Sequence, residues 1–139
     1  NKILHQSKLV NYFNGDYAKS KIEEDLNKFL KKIKKDKKYF LSKKDIIFLE
    51  ALKSDGIEIS KKYENLYEIN KSEMPIDIQK MIDNKEIGAA LLRIIEVIGP
   101  EKIEDIDDDT VYFIINTLNQ LNADLIRNKL LLKVLPLKV

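Results

Sequence analysis

The sequence predicts an all-α fold: six or seven short helices packed as antiparallel hairpins, in a compact bundle or a short α-solenoid-like stack. Three observations carry that expectation. Only four Gly and three Pro occur in 139 residues, too few for the many tight turns of an all-β chain. Apolar residues recur at helical spacing, most clearly Ile22, Leu26, Phe29, Leu30 and Ile33. Residues 86–135 form three successive apolar segments divided by Gly99-Pro100 and Asn122-Ala123-Asp124, and segments so apolar hold their shape only by packing on one another. With 44% hydrophobic and 35% charged residues, 1–139 reads as a single globular domain with 86–135 as its apolar centre. A chain of this length buries roughly 70% of the surface it exposes when unfolded.

Taken in order, residues 1–15 suggest a short helix or tether ended by Asn14-Gly15, a left-handed stop. The stripe from Ile22 to Ile33 follows, with Asp16 or Ser20 as the expected cap and Glu24–Lys28 as an i,i+4 pair. Ser42-Lys-Lys-Asp45 is a capping-box variant with Asp in the Glu position, opening a helix that points Ile46, Ile47, Leu49 and Leu52 inward and ends near Ser54-Asp55-Gly56. Residues 57–69 alternate like a strand at Ile57-Glu58-Ile59, yet Ile59, Tyr63, Leu66, Tyr67 and Ile69 fit a helix, and helix is the expectation. Residues 70–75 form a candidate linker, with Pro75 at the first turn of a short helix to Asp83. Gly88 lies inside a helical pattern, where a close helix–helix approach would explain it. Asp107 to Asp109 load the next helix start with negative charge, and the short turn at 122–124 makes the last two helices antiparallel neighbours. Helix-turn-helix patterns over 45–69 and 110–135 suggest stacked hairpins, without the signature residues of any repeat family.

The formal charge of +2 is unevenly spread: residues 1–70 carry 16 Lys against 11 acids, residues 71–139 nine basic residues against 12 acids. Nine lysines fall between Lys28 and Lys44, interleaved with Phe29, Tyr39 and Phe40. Lys28, Lys31, Lys32, Lys34, Lys35, Lys37 and Lys38 are therefore candidate anion-binding residues for nucleic acid or an anionic membrane or polymer. Against that, only Arg93 and Arg127 are arginine, a pattern expected of an AT-rich genome rather than of a phosphate reader. A solvated lysine face with buried aromatics is the simpler account of the run.

Recognisable chemistry is scarce. No cysteine is present, and a single histidine, His5, cannot hold zinc alone. A Ser-His-Asp system would need His5 brought to Ser7, Ser20, Ser42, Ser54, Ser60 or Ser72, none of which sits in a nucleophile-elbow pattern. A calcium loop starting at Asp105 would place Thr110 where Gly is required and Asn116 where Glu is required. The four glycines are isolated, so no phosphate-binding loop is built from them. Catalytic, metal and cofactor-binding residues are accordingly expected to be none. Glu86, Glu96 and Glu101 are the acids a carboxylate-dependent hydrolase would use.

Together these readings predict a non-catalytic protein-interaction or scaffold domain whose partner is a protein. Leu131, Leu132, Leu135 and Leu137 are its candidate surface, because the last segment is apolar nearly all round. The chain begins at Asn1 rather than Met, so either a leader has been removed or it is part of a longer protein, and one part of a longer bacterial-type polypeptide is the expectation. The basic-surface module is the first alternative and the hydrolase the second. Compartment and oligomeric state are left open by the residues.

Overall fold

The computed structural model describes residues 3–36, 40–66 and 74–135, with the backbone alone for 64–66. Among them are six α-helices and no strand: α1 (Lys19–Lys35), α2 (Lys43–Ser54), α3 (Ile76–Asp83), α4 (Ile87–Ile98), α5 (Asp108–Gln120) and α6 (Asp124–Val134). The fold is the expected all-α compact bundle. Tight 3-10 turns occupy Leu4–Gln6, Lys8–Asn14, Lys61–Leu66 and Ile103–Asp105.

The centre of the bundle is α2, not the last three segments. Asp45, Ile46, Ile47, Phe48, Leu49, Ala51 and Leu52 are all buried, so this helix is enclosed nearly all round. Its principal neighbour is α5, which buries Val111, Tyr112, Ile114, Ile115 and Leu118. The Lys43 ammonium lies 3.3 Å from the Asp109 carboxylate, and Ser54 Oγ donates to the Asn119 carbonyl at 3.5 Å. Start therefore meets start and end meets end, so α2 and α5 run in the same direction. Two helices that run parallel need a long crossover, and α3 and α4 supply it.

Two hairpins are built around this parallel pair, α3 with α4 and α5 with α6. Arg93 of α4 reaches back to Asp77 of α3 at 3.2 Å, and Arg127 of α6 reaches Asn119 of α5 at 3.2 Å. Each pair is joined by a short turn, with Lys85 (φ 60°) and Asn122 (φ 56°) in the left-handed region. Among the described residues of 45–69 no second α-helix pairs with α2; residues 67–69 lie outside them. Gly56 (φ 86°) turns the chain after α2, and only a 3-10 turn at Lys61–Leu66 follows. Side chains of α1 hold the stretch between them: Ser60 N–H donates to Asn27 Oδ1 at 3.0 Å, and Asn27 Nδ2 donates to the Glu58 carbonyl at 3.3 Å. The strand-like alternation at Ile57–Ile59 thus marks an extended segment that hydrogen-bonds to helix side chains. Most of the candidate linker at 70–75 lies outside the described residues.

Residues 3–15 are neither tether nor α-helix. Leu4, Leu9, Val10 and Phe13 are buried in the core, and Phe13 meets Phe48 edge to face with centroids 5.5 Å apart. Ser7 divides the segment: its hydroxyl donates to the Leu4 carbonyl at 2.7 Å and accepts from Leu9 N–H at 3.3 Å, which ends one turn and caps the next. Gly15, at φ 85°, is the left-handed stop its sequence implied. Helix α1 starts from Ala18 with no side-chain cap, so neither Asp16 nor Ser20 performs that role.

Candidate functional site

Two polar clusters are buried, and both tie the N-terminal segment to the bundle. In the first, Asp45 is 1% exposed and accepts from three groups. The His5 backbone N–H donates at 2.9 Å, the His5 ring Nδ1 at 2.7 Å, and the Ser42 N–H at 3.0 Å. Asp45 N–H donates in return to Ser42 Oγ at 3.2 Å, completing the capping box of α2. Burial pushes the Asp45 carboxyl up; the hydrogen bonds from His5 and Ser42 outweigh it and hold the group below its ordinary value. His5 is buried because this carboxylate sequesters it.

Ser42, His5 and Asp45 are the residue types of a hydrolytic triad, but their geometry is different. A nucleophilic serine must face the imidazole nitrogen opposite the one held by the acid. Here Ser42 Oγ lies 3.4 Å from Nδ1, the nitrogen already held by Asp45, and Nε2 faces the Gln6 amide at 3.5 Å. The cluster fastens residues 3–7 to the start of α2.

The second cluster centres on Arg127, which is fully buried. Its guanidinium contacts Asp55 at 2.9 Å, Asn128 Oδ1 at 2.8 Å and Asn119 Oδ1 at 3.2 Å, and its carbon lies 5.9 Å from the Phe13 ring centroid. Tyr12 donates to the same Asp55 carboxylate at 2.8 Å. Burial and this hydrogen bond push the Tyr12 phenol up. Four elements converge on one guanidinium. The rarity of arginine in a lysine-rich chain was the available signal for this position, and composition alone could not say that it lay inside.

The acids proposed for hydrolysis do not assemble. Glu86, Glu96 and Glu101 are all exposed, and Glu96 lies 3.4 Å from Arg93. Among the described residues the carboxyls that depart from ordinary values, Glu24, Asp25, Asp45 and Asp107, all go down, whereas a general acid needs one raised. No metal-holding group of three ligands occurs among the described residues. Asp107 instead caps α5, accepting from Thr110 N–H at 3.2 Å and from its hydroxyl at 2.6 Å. An open groove of about 730 Å³ beside the 56–61 segment is edged by Glu23, Asn27, Glu58 and Lys61. Glu23 and Asn27 already hold that segment in place.

The candidate lysines divide into groups. Lys28 pairs with Glu24 at 2.9 Å, and Lys34 donates to the Lys62 carbonyl at 3.1 Å with its ammonium 5.8 Å from the Tyr63 ring. Lys31, Lys32 and Lys35 are exposed on α1, and Lys37 and Lys38 lie outside the described residues.

The candidate leucine surface is largely core. Leu131 and Leu135 are completely buried and Leu132 half-buried, because the second half of α6 packs on the N-terminal segment; Leu137 lies outside the described residues. Among the described residues large apolar side chains are left exposed on α4, where Ala90 and Ile94 point inward while Leu92 is 62% and Ile95 64% exposed, and at the start of α6, at Leu125 and Ile126. Gly88 shares the face of Leu92 and Ile95 at i, i+4, i+7 spacing, and a Cβ placed on it would meet nothing within 4 Å. Among the described residues no neighbouring helix approaches there, contrary to the sequence expectation. No helix among the described residues is long and apolar enough to cross a membrane. Comparison with protein-family models, curated proteins and solved structures finds no match for this chain.

Proposed function

We propose that the chain is a non-catalytic helical interaction domain whose binding face is the outer side of α4. The observation that carries this reading is the exposure of Leu92 and Ile95 on one of the most apolar helices of the chain. A helix buries such residues unless something else covers them. The open position at Gly88 lets a second backbone approach closely. Residues 76–106 carry seven acids against four basic residues, so the occupant that fits is an amphipathic helix with basic flanks. A photo-crosslinking residue at position 92 tests this in native lysate. The expected product joins this chain to an amphipathic, net-basic helical segment of another protein, and Ile95→Asp abolishes it. Cross-links to a second copy of this chain, or none at all, would overturn the reading.

A further inference from the structure

Where the second half of α1 meets the Lys61–Leu66 turn, lysines from two separate stretches of sequence come together. Asn27 binds the Glu58 carbonyl and the Ser60 N–H, and Lys34 donates to the Lys62 carbonyl at 3.1 Å. The chain from 58 to 62 therefore runs along α1 for about 10 Å, the helical rise from Asn27 to Lys34. Lys31 lies on that seam too, because it shares the face of Asn27 and Lys34 at i, i+4, i+7 spacing. Lys61 lies on it from the other side, between Ser60 and Lys62. Lys34 and Lys62 bring their ammonium groups to one ring, 5.8 Å and 5.9 Å from the Tyr63 centroid. Lys31, Lys34, Lys61 and Lys62 are all exposed, and among the described residues none has a carboxylate at ion-pair distance. Lys28, one turn earlier on α1, is matched by Glu24. Adjacency in sequence had grouped the lysines of α1 alone; folding adds Lys61 and Lys62.

We propose that this seam binds the phosphodiester backbone of duplex nucleic acid without reading its sequence. Cations held side by side repel one another, and a row of phosphates relieves that repulsion. A duplex supplies the row: it carries one negative charge per about 1.7 Å of length, and each phosphate met by a lysine releases condensed counterions. Lysine acts as a point charge, which suits backbone contact, whereas base edges are read by the fork of arginine. Both arginines are engaged elsewhere, Arg127 in the core and Arg93 with Asp77 and Glu96. A single strand fits less well, because it needs successive rings on which to stack bases. Tyr63 is only 4% exposed, and Phe40, at 84%, is the one exposed aromatic among the described residues. That exposure departs from the simpler account of the lysine run, in which its aromatics are buried. A bilayer also fits less well: Ile57 and Tyr63 are buried and Ile59 half-buried, so the 57–63 segment offers no apolar side chain to insert.

The probes are short fluorescein-labelled duplexes of mixed sequence, one of DNA and one of RNA, titrated by fluorescence anisotropy across a salt series. The expected result for DNA is a log–log salt slope of about −3 to −4, unchanged when the sequence is scrambled. Binding of either duplex supports the proposal, and the tighter of the two identifies the backbone the seam takes. Lys31→Gln together with Lys61→Gln should make the slope shallower by about 2, one for each lost phosphate contact. Lys80→Gln together with Lys102→Gln removes the same charge from exposed positions elsewhere and should leave the slope as it was. All four positions are exposed, and unchanged circular dichroism would confirm that the variants fold. Four results would each overturn the proposal: no binding at low salt, a slope that the first pair does not change, an equal effect of the second pair, or tighter binding to polyglutamate or to phosphatidylglycerol vesicles at the same ionic strength.

Discussion

Arg127 Nη2 lies 2.9 Å from the Asp55 carboxylate across 72 residues of sequence, with the arginine side chain fully buried and the aspartate 12% exposed. Two charges withdrawn from water in this way favour folding only while each retains the other. Removing the cation leaves Asp55 with Tyr12 as its remaining partner in the cluster.

Arg127→Met should destabilise the fold by about 3 kcal/mol, and Arg127→Lys by a smaller amount, because an ammonium cannot reproduce the fork reaching Asp55, Asn119 and Asn128. Urea denaturation measures both. Pairing Arg127→Met with Asp55→Asn should restore part of the loss, and strict additivity would show that the two groups are not coupled.

Asp45 gives the fold an acid limit. Its folded-state pKa lies below the ordinary 3.8, so its contribution is complete above that value and disappears as pH falls through the lower folded value. Asp45→Asn should lower stability at neutral pH by about 2 kcal/mol, the order expected for hydrogen bonds to a charged group. It should also flatten the acid side of the profile. Urea midpoints between neutral pH and the acid transition will show whether that slope is lost.

Tyr12 gives a limit on the other side. Burial and its bond to Asp55 favour the neutral phenol, so its contribution is complete below the ordinary 10.0 and declines as pH rises beyond it. Tyr12→Phe should cost about 1 kcal/mol at neutral pH and remove the phenol's share of the alkaline decline. Absorbance titration of the remaining tyrosines locates the missing group.

Core and surface substitutions should separate the two helices that composition makes look alike. Leu49→Ala in α2 should cost about 3 kcal/mol, and Leu92→Ser in α4 no more than about 0.5 kcal/mol. Gly88→Ala should raise stability by about 0.5–1 kcal/mol, because the site is helical, exposed and open. A destabilising Gly88→Ala would mean that a neighbour packs there after all.

The helix class, the capping box at Ser42, the stop at Gly15, the Asp107 cap and the short turn before α6 were all legible from local chemistry. Those devices act within a few residues. What periodicity could not rank was which apolar segment becomes the centre. Both α2 and α4 carry enough apolar residues to be enclosed; α2 is, because α5 and the N-terminal segment cover it, and those partners come from distant sequence. The extended stretch at Ile57–Ser60 was half legible, since its alternation was visible but the asparagine that holds it lies 33 residues earlier. For the same reason the burial of His5 was not legible: its partner is 40 positions away, and nothing near His5 announces it.

The parallel pairing of α2 with α5 also has a consequence for biosynthesis. Helices that pack in sequence order can assemble as they leave the ribosome, but α2 is finished at Ser54 while Leu131 and Leu135, which close the core, come last. At ~5–20 residues per second the completed α2 waits on the order of 4–16 s for them. Until α5 emerges, the buried residues of α2, Ile46, Ile47, Phe48, Leu49, Ala51 and Leu52, have only the earlier part of the chain for shelter. Slow codons between α3 and α5 would lengthen that exposure.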